Sequence, residues 1–361
     1  MSVGLVMIVK NEEKTLPRLA ESLKGQIDHW TVVDTGSTDL TIDTAYQVFA
    51  GIPGEVYERE WQGFGPSRNE ARALAEPHTD WLIWLDADEV LEGEIEVLEA
   101  DWIDIEEING DLRFWKPRMF RSNRGFSWTG MVHEYLSSPI AGPSARSSRF
   151  RVYHHGDGGS RADKFQRDLG LLQQEWEREP LNPRTAFYMA RTLDDVADYR
   201  QAVDWYRRRL TLGGWDEEVF YTRYRLGVCL LALGALGVMT DDEGCGNLWR
   251  AWALKPGRAE PLVSLAEYYR RHELWTMAWE TMQLAYSHCR AQPNNFLPIH
   301  DGLFVDVSAT EWKCAYEQSI SAWYTDNKER GRILLDFLLT RGLQIPEPYF
   351  SSVLANREFY L

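Results

Sequence analysis

Two carboxylates separated by one alanine follow a strongly apolar run at residues 81–90, WLIWLDADEV. In an extended segment residues i and i+2 point to the same side, so Asp86 and Asp88 are predicted to present their side chains together just past a buried strand. Two unpaired carboxylates repel each other, and a divalent cation relieves that repulsion. Hard oxygen ligands suit Mg²⁺ or Mn²⁺, and either ion can also bind a diphosphate. An Asp-x-Asp pair is common by chance, and its place after the apolar run is what favours a metal site.

Two further polar clusters close apolar runs nearer the start of the chain. VKNEE ends the run Val3–Val9, and DTGSTD follows WTVV at residues 34–39. Apolar residues at helical spacing lie between the runs, which predicts strands alternating with helices and a mostly parallel sheet covered on both faces. Such sheets bind ligands at the carboxyl ends of their strands. One polar cluster is explained equally well by a turn, but three on one edge favour a site.

The same alternation predicts individual elements within residues 35–75. Ser37 or Thr38 is expected to cap a helix, Val56 and Tyr57 to lie in a short strand, and residues 68–75 to form another helix.

Composition limits the classes of protein that fit. The chain has 361 residues, 44% of them hydrophobic, and a formal net charge of −16, which argues against attraction to nucleic acid or anionic membrane. Its four cysteines contain no Cys-x-x-Cys pair, so neither a disulfide framework nor a zinc site is expected. The first residues lack the pattern of a signal peptide, and the longest apolar run, residues 226–239, is too short and too glycine-rich to span a bilayer. These features predict a cytoplasmic protein with reduced thiols and no membrane span.

The second half of the chain has helical spacing that repeats. Ala190, Gly227 and Ala266 lie 37 and 39 residues apart, and Ala202 and Ala278 follow two of them after twelve residues. Small residues at such positions allow paired helices to pack closely, as in tetratricopeptide repeats. The middle repeat is expected to be interrupted around GVMTDDEGCGN. Further amphipathic helices are expected at residues 311–324 and 328–340, as a cap.

Several motifs of the first half resemble family 2 glycosyltransferases of the GT-A fold. IVKNEE, VVDTGSTD, SRNEA and WLDADE occur in the family's order and spacing, and FSWTGMVHEYL and VYHHG extend the similarity to about residue 160. The helical half resembles the branch of the family that carries tetratricopeptide repeats. The resemblance implies an α/β GT-A domain at residues 1–160, a linker helix at 161–180, repeats at 181–290 and a helical cap at 291–361.

It also implies an inverting, metal-dependent transfer of a sugar from a nucleotide-diphospho-sugar, with a UDP-sugar as the expected donor and Mn²⁺ or Mg²⁺ as cofactor. Val9, Asn11 and Glu12 would line the nucleotide pocket, and Asp34 would accept hydrogen bonds from the base or ribose. Arg68 would lie near the diphosphate; an ion pair with Glu70 or Glu12 is the alternative. The implied donor and metal contacts also include Trp128, Asp86 on the ribose or metal, and Asp88 with His154 on the metal. Adjacent histidines on a strand point opposite ways, so His155 is not expected to serve.

The proton acceptor is expected to be Glu134, within the family-like HE pair, with His133 contacting donor or acceptor. Inversion requires such a carboxylate to take the proton of the attacking group. Asp157 and Glu89 are weaker alternatives. Lys164 and Arg167, one helical turn apart, are expected either to close over the diphosphate beside the glycines of HHGDGG or to be solvated.

Other classes remain open at this point. A nucleotidyltransferase is disfavoured because such enzymes carry a glycine-rich phosphate loop after the first strand, and VKNEE at that place contains no glycine. A helical-repeat adaptor with an inactive transferase domain is disfavoured by intact DADE and HE motifs. The acceptor could be a protein or peptide, a glycan or a lipid, and the repeats could bind a polypeptide, form a homodimer or serve as a scaffold. The sequence does not identify the sugar.

Overall fold

The computed structural model describes residues 1–110, 112–158, 164–238, 241–288 and 302–360. The chain divides into two compact units, Met1–Pro180 and Leu181–Leu361, which are described separately below. The finer boundaries expected at residues 160 and 290 stay predictions.

The first unit is built on an eight-stranded sheet in the order β3-β2-β1-β4-β7-β6-β10-β5, with a small two-stranded sheet β8-β9. The strands are β1 Val3–Val9, β2 His29–Asp34, β3 Gly54–Glu58, β4 Trp81–Trp84, β5 Glu89–Gly93, β6 Trp102–Asn109, β7 Leu112–Arg121, β8 Ser127–Thr129, β9 Tyr135–Ser137 and β10 Ser144–His154. The helices are α1 Leu16–Ser22, α2 Thr41–Val48, α3 Phe64–Ala75 and α4 Lys164–Arg178.

Strand direction differs between the two halves of the large sheet. β3, β2, β1 and β4 are parallel, whereas β7 is antiparallel to both β4 and β6. β6 and β10 are again parallel, and β5 runs antiparallel to β10. This mixed sheet followed by a helical unit confirms the predicted α/β GT-A fold class. The carboxyl ends of β1, β2, β4 and β10 all lie at one edge of the sheet, which confirms the prediction of one polar edge. The prediction of a mostly parallel sheet holds for the first four strands.

Both faces of the sheet are covered, as the continuous apolar strands require. On one face Leu16 and Leu19 of α1 join a core with alternate residues of β1 such as Leu5 and Met7. On the other, Ala71 and Ala75 of α3 pack against the opposite residues of the same strands.

Two predicted helix starts are wrong. α2 begins at Thr41, because Ser37 and Thr38 instead bond to Asn11, which ties the loop after β2 to the loop after β1. α3 begins at Phe64, four residues before the predicted start at residue 68.

The second unit is helical and consists of paired helices followed by a terminal group. Its helices are α5 Pro183–Asp195, α6 Tyr199–Thr211, α7 Asp216–Ala235, α8 Asp241–Leu254, α9 Glu260–Arg271, α10 Trp275–His288, α11 Cys314–Trp323, α12 Lys328–Arg341 and α13 Tyr349–Tyr360. A π-helical turn at Ala309–Lys313 leads into α11. The repeat positions Ala190, Ala266, Ala202 and Ala278 are all fully buried, as their spacing predicted.

The middle pair departs from prediction at DDEGCGN, which is the first half of helix α8 rather than an interruption. Gly244 in this segment packs directly on α7. A Cβ atom on Gly227 would lie 2.7 Å from Cγ of Leu248, and one on Gly244 would lie 2.7 Å from Cδ2 of Leu231. The two glycines therefore allow a closer crossing than the alanines of the neighbouring pairs.

Among the helices that the structure describes, none combines the length and hydropathy needed to cross a bilayer. Cys229, Cys245 and Cys314 form no disulfide with one another. Cys289 lies outside the described residues.

Candidate active site

Two adjoining cavities open at the carboxyl edge of the large sheet. The first, of about 250 Å³, is lined by the end of β1 at Ile8, Val9, Lys10 and Glu12, by Trp61 and Phe64, and by Ala87, Asp88 and Arg167. The second, of about 280 Å³, is lined by Glu89, Glu107, Lys116, Arg118, His133, Glu134, His154 and Asp168. Phe64, Arg68 and Asp86 line both cavities and so form the boundary between them.

Hydrogen bonds connect the loops after β1 and β2, whose neighbouring residues line the first cavity. Oδ1 of Asn11 accepts a hydrogen bond from the backbone N–H of Thr38 at 2.8 Å, and the backbone N–H of Asn11 donates to Oγ of Ser37 at 2.9 Å. Asn11 adopts a φ of 58°, which is uncommon for a residue with a side chain. The side chain of Asn11 is thus engaged in loop structure, whereas Val9 and Glu12 line the cavity.

Asp34 ends β2 with one carboxylate oxygen engaged and the other buried and unpaired. Oδ1 accepts hydrogen bonds from the backbone N–H groups of Gly36 and Ser37, each at 2.9 Å. Oδ2 has no hydrogen-bond partner among the described residues, and the residue is only 2% exposed. A buried acceptor without a partner is costly, so this oxygen is suited to a donor group of a ligand.

Arg68 links two carboxylates from different parts of the sheet. Its guanidinium donates to Oε1 of Glu134 through Nη1 and to Oδ1 of Asp86 through Nη2, the latter at 3.1 Å. The Trp84 and Trp128 rings lie against the guanidinium, with centroids 4.8 and 5.1 Å from Cζ. The alternative ion pair with Glu70 or Glu12 is wrong, and Glu70 pairs with Arg59.

The Asp-Ala-Asp segment forms a turn, and its two carboxylates have different partners. The backbone N–H of Glu89 donates to the carbonyl of Asp86 at 3.1 Å, which closes the turn immediately after the strand. Asp86 faces Arg68 as a result, and Asp88 faces His154 with 3.7 Å between Oδ1 and Nδ1. Burial opposes ionisation of Asp86, but the charges of Arg68, Arg118 and Lys116 together outweigh burial and hold the pKa of Asp86 well below its usual range. The extended backbone assumed for this segment is therefore wrong, although Asp86 and Asp88 both line the first cavity.

His154 lies at the end of β10 between two acidic side chains. Its Nδ1 is 3.7 Å from both Oδ1 of Asp88 and Oε1 of Glu89. The adjacent carboxylate of Glu89 raises the pKa of His154, against the opposing effect of burial. His155 is exposed, and its backbone N–H donates to the carbonyl of Asp88.

A buried ion network supports this turn, and the sequence reasoning missed most of it. Arg118, 1% exposed, donates to Oε1 of Glu89 at 2.5 Å and to Oε2 of Glu107 at 2.6 Å. Oε2 of Glu89 accepts the backbone N–H of Asp86 at 2.8 Å. Lys116 extends the network, with Nζ 3.7 Å from Glu107. Lys116 and Arg118, at alternate positions of β7 between the apolar pairs Phe114–Trp115 and Met119–Phe120, were the available signal.

Glu134 and His133 lie together in the second cavity. Glu134 is 7% exposed at its side chain and pairs with Arg68. His133 has a φ of 50°, a second rare backbone conformation at this site. Asn69 fixes the adjoining strand: its side chain donates to the Trp128 carbonyl at 2.9 Å and accepts the Trp128 N–H at 2.7 Å. Trp128 is 4% exposed and lies behind Arg68, outside the lining of both cavities.

The two alternative proton acceptors are already paired. Asp157 forms a two-point ion pair with Arg18 at 2.6 and 2.8 Å, which lowers the pKa of Asp157 to about 2. Glu89 is fully buried and forms an ion pair with Arg118. Glu134 is itself paired with Arg68, so pairing alone does not rank the three carboxylates, but Asp157 lines neither cavity.

The segment after β10 approaches Asp88 closely. The N–H of Gly158 points at Oδ2 of Asp88 from 3.4 Å, and a Cβ there would lie 3.0 Å from Oε1 of Glu12. Arg167 lines the first cavity with its guanidinium over the Phe64 ring, at 5.3 Å. Gly159 and the side chain of Lys164 lie outside the described residues.

The residues at this edge fit a divalent cation, although no three His, Cys, Asp or Glu side chains converge on one point within the described parts of the chain. Asp88 and His154 form an adjacent oxygen and nitrogen donor pair. The lining of the second cavity carries five carboxylates against three lysine and arginine side chains, so added positive charge is favoured there. Mg²⁺ and Mn²⁺ sites commonly use one or two protein ligands completed by substrate phosphates and water.

Comparison with known proteins finds a family model that matches most of the first unit. Residues 5–155 match the family model described as Glycosyl transferase family 2. The SPbeta prophage-derived glycosyltransferase SunS of Bacillus subtilis is 28% identical over 223 residues, which cover 56% of this chain and 52% of that protein. A TPR repeat-containing protein of Synechococcus elongatus is 39% identical over 275 residues, covering 72% of this chain and 58% of that protein. The chain thus spans a little over half the length of these curated relatives.

Among solved structures, a crystal structure of MamA covers 55% of this chain and 91% of its own, with 13% identity and a TM-score of 0.37.

Proposed function

We propose that this chain, whose residues 5–155 form a family 2 glycosyltransferase domain, transfers a sugar from a nucleotide-diphospho-sugar to the nucleophilic group of an acceptor. The observation that carries the proposal is the pair of cavities joined at Arg68 and Asp86, with the ends of β1 and β2 at the first and Glu134 in the second. A donor whose nucleotide fills the first cavity would place its sugar at the second.

The nucleotide is proposed to be a uridine diphosphate. Val9 and Glu12 line the first cavity, and the unpaired Oδ2 of Asp34 lies at the adjoining strand end. A carboxylate oxygen accepts hydrogen bonds, so it suits the N–H of uracil or the hydroxyls of ribose. The rings of Trp61 and Phe64, which meet edge to face, supply apolar surface on the same cavity.

Asp88 and His154 are the residues that would hold Mn²⁺ or Mg²⁺. When bound, the ion would neutralise charge on the leaving diphosphate. Arg167, which pairs with Asp168 in the structure, places a guanidinium at the first cavity that can also bind phosphate oxygens. These two sources of positive charge would explain how an acidic protein binds an anionic donor.

Glu134 is the proposed proton acceptor. The attacking atom of the acceptor forms a bond to the anomeric carbon from the face opposite the diphosphate, and the carbon–oxygen bond to the diphosphate breaks with its electron pair. The proton of the attacking group passes to Glu134. In the structure Glu134 is held by Arg68, whose planar guanidinium also suits phosphate oxygens. A diphosphate that takes hydrogen bonds from Arg68 would free Glu134 only when the donor is bound.

The acceptor is proposed to be a polypeptide, because helical repeats commonly present extended surfaces to peptides and proteins. Glycan and lipid acceptors are alternative outcomes of the same assay.

A panel of nucleotide-sugars, assayed for nucleotide release with Mn²⁺ and again with a chelator, tests the proposal. We expect release from at least one UDP-sugar, and its loss when the metal is removed. The variant Glu134→Gln keeps the size of the side chain but not its basicity, so turnover should fall by about 10²-fold or more while UDP affinity barely changes. Glu92→Gln, at an exposed site on β5, is the matched control and should behave as wild type. Near-normal turnover of Glu134→Gln would contradict the assigned role.

A further inference from the structure

Residues 302–306, which precede the π-helical turn, form neither helix nor strand and lie across the first helices of successive helical pairs. They contact Phe187 and Arg191 of α5 and Tyr221 of α7 through one aromatic side chain. They also contact Glu217 near the start of α7 and Glu260 at the start of α9. The segment therefore occupies a surface composed of residues distant from it in sequence.

The aromatic contact is made by Phe304. Its ring is parallel to that of Phe187, with an interplanar angle of 7° and centroids 6.5 Å apart, and meets the ring of Tyr221 edge-on at 5.1 Å. The guanidinium carbon of Arg191 lies 3.6 Å from the centroid of the Phe304 ring. Two rings and a cation thus surround this one side chain, an arrangement that favours an aromatic ring.

The remaining polar contacts are made to the backbone of the segment. The N–H of Leu303 donates to Oε2 of Glu217 at 2.9 Å, and the carbonyls of Leu303 and Phe304 accept from Nη2 of Arg258 at 3.3 and 3.4 Å. The N–H of Asp306 donates to Oε1 of Glu260 at 3.2 Å. Arg258 and Glu260 are 4% and 3% exposed, so these charged groups are fixed in place. Any polypeptide could supply the same backbone groups.

Phe304 also has a φ of 50°, a conformation that residues with side chains rarely adopt. We propose that the surface formed by Phe187, Arg191, Tyr221, Glu217 and Arg258 is a binding site for an extended polypeptide segment with one aromatic side chain, and that residues 302–306 fill it in cis. A segment of another chain without this backbone strain would replace them. The site lies wholly within the helical unit and does not depend on glycosyl transfer.

The test is binding in trans to the full-length chain. The probe is a fluorescent peptide of sequence GLFVDVS, which copies residues 302–308, titrated to about 1 mM, the effective concentration typical of a tethered segment. Phe304→Ala should vacate the aromatic part of the site. We expect this variant to bind the peptide about tenfold more tightly than wild type, since the wild-type site is already occupied.

Two controls identify the site. The peptide GLAVDVS should lose binding, and Arg191→Ala added to Phe304→Ala should weaken binding of GLFVDVS. Circular dichroism and thermal melting establish that each variant is folded, and Phe304→Leu replaces Phe304→Ala if the latter does not fold. The inference is overturned if a folded variant binds neither peptide or both equally, if wild type binds as tightly as the variant, or if Arg191→Ala has no effect.

Discussion

At the scale of single residues, Asp86 and Asp88 have different surroundings and should have different roles. Asp86 is neutralised by Arg68, whereas Asp88 lies beside His154 and the backbone of Gly158. A divalent cation should bind more favourably at Asp88 than at Asp86, because no arginine pairs with Asp88 among the described residues. Asp88 is therefore the residue on which metal-dependent donor binding should depend.

We expect Asp88→Ala to weaken Mn²⁺-dependent UDP binding by about tenfold or more while the fold is retained, because it removes a metal ligand and few core contacts. Calorimetry with Mn²⁺ and with a chelator measures the effect. Asp80→Ala removes an aspartate at the opposite edge of the sheet, where Asp80 bonds to Ser2, and should leave UDP affinity unchanged. Unchanged affinity in Asp88→Ala would show that the turn after β4 is not the metal site.

Glu89 should position the site rather than accept the proton. Glu89→Gln keeps the hydrogen bond to the N–H of Asp86 but removes the charge that faces Arg118 and His154. We expect Mn²⁺ affinity to fall by about 10- to 100-fold, as for other residues that hold metal ligands, together with a lower melting temperature. Electron paramagnetic resonance of Mn²⁺ and thermal melting measure both. Lost turnover with normal Mn²⁺ affinity would instead indicate a proton acceptor.

Some of these residues could be identified from the sequence and others could not. Asp34, Asp88 and Glu134 follow apolar runs or lie in family-like motifs, so local sequence predicts them. Glu107 and Arg118 become part of the site only through pairing of β6 with β7 and the approach of β5. Their partners are distant in sequence, and a charged residue within a strand does not by itself reveal which carboxylate it will meet.

At the scale of secondary-structure elements, the crossing of α7 and α8 depends on two glycines. The sequence suggested an interrupted repeat because DDEGCGN is rich in polar residues and glycine, which are poor helix formers. Tertiary packing overrides that preference, since Gly227 and Gly244 allow the helices to approach closely.

Gly227→Ala should destabilise the helical unit by about 1–2 kcal/mol, because the added Cβ would lie 2.7 Å from Leu248 and 3.0 Å from the carbonyl of Gly244. Gly246→Ala is the matched control on α8, since a Cβ there meets nothing within 4 Å. It should stabilise the helix by about 0.5–1 kcal/mol through backbone propensity alone. Chemical denaturation of both variants measures the difference, and equal effects of the two substitutions would refute a close crossing.

In the large sheet, local sequence predicted the first four, parallel strands but not the antiparallel ones. β1 to β4 alternate with helices and are parallel, as their apolar runs predicted. β6 and β7 form an antiparallel pair that continues the sheet beyond β4, and their charged alternate residues gave no continuous apolar run. The start of α2 was wrong because Ser37 and Thr38 bond to Asn11, a contact between loops.

At the scale of the whole molecule, each unit has cores of its own. The first unit buries apolar residues on both faces of its sheet, and the second buries one cluster around α9 and α10 and another around α11 and α12. The two cavities, the proposed metal ligands and Glu134 all belong to Met1–Pro180. The donor chemistry should therefore be separable from whatever the helical unit contributes.

A chain truncated after Pro180 should fold and still release nucleotide slowly from its donor, because every residue proposed to bind the donor lies before that point. Transfer to a polypeptide acceptor should fall by at least about tenfold if the helices select that acceptor. Circular dichroism and melting must accompany the assay, since loss of both activities in an unfolded truncation would report stability alone. The full-length chain assayed with the same donor is the reference. A folded truncation that transfers sugar to the polypeptide as fast as the full chain would reject acceptor selection and leave the helical unit with a scaffolding or self-association role.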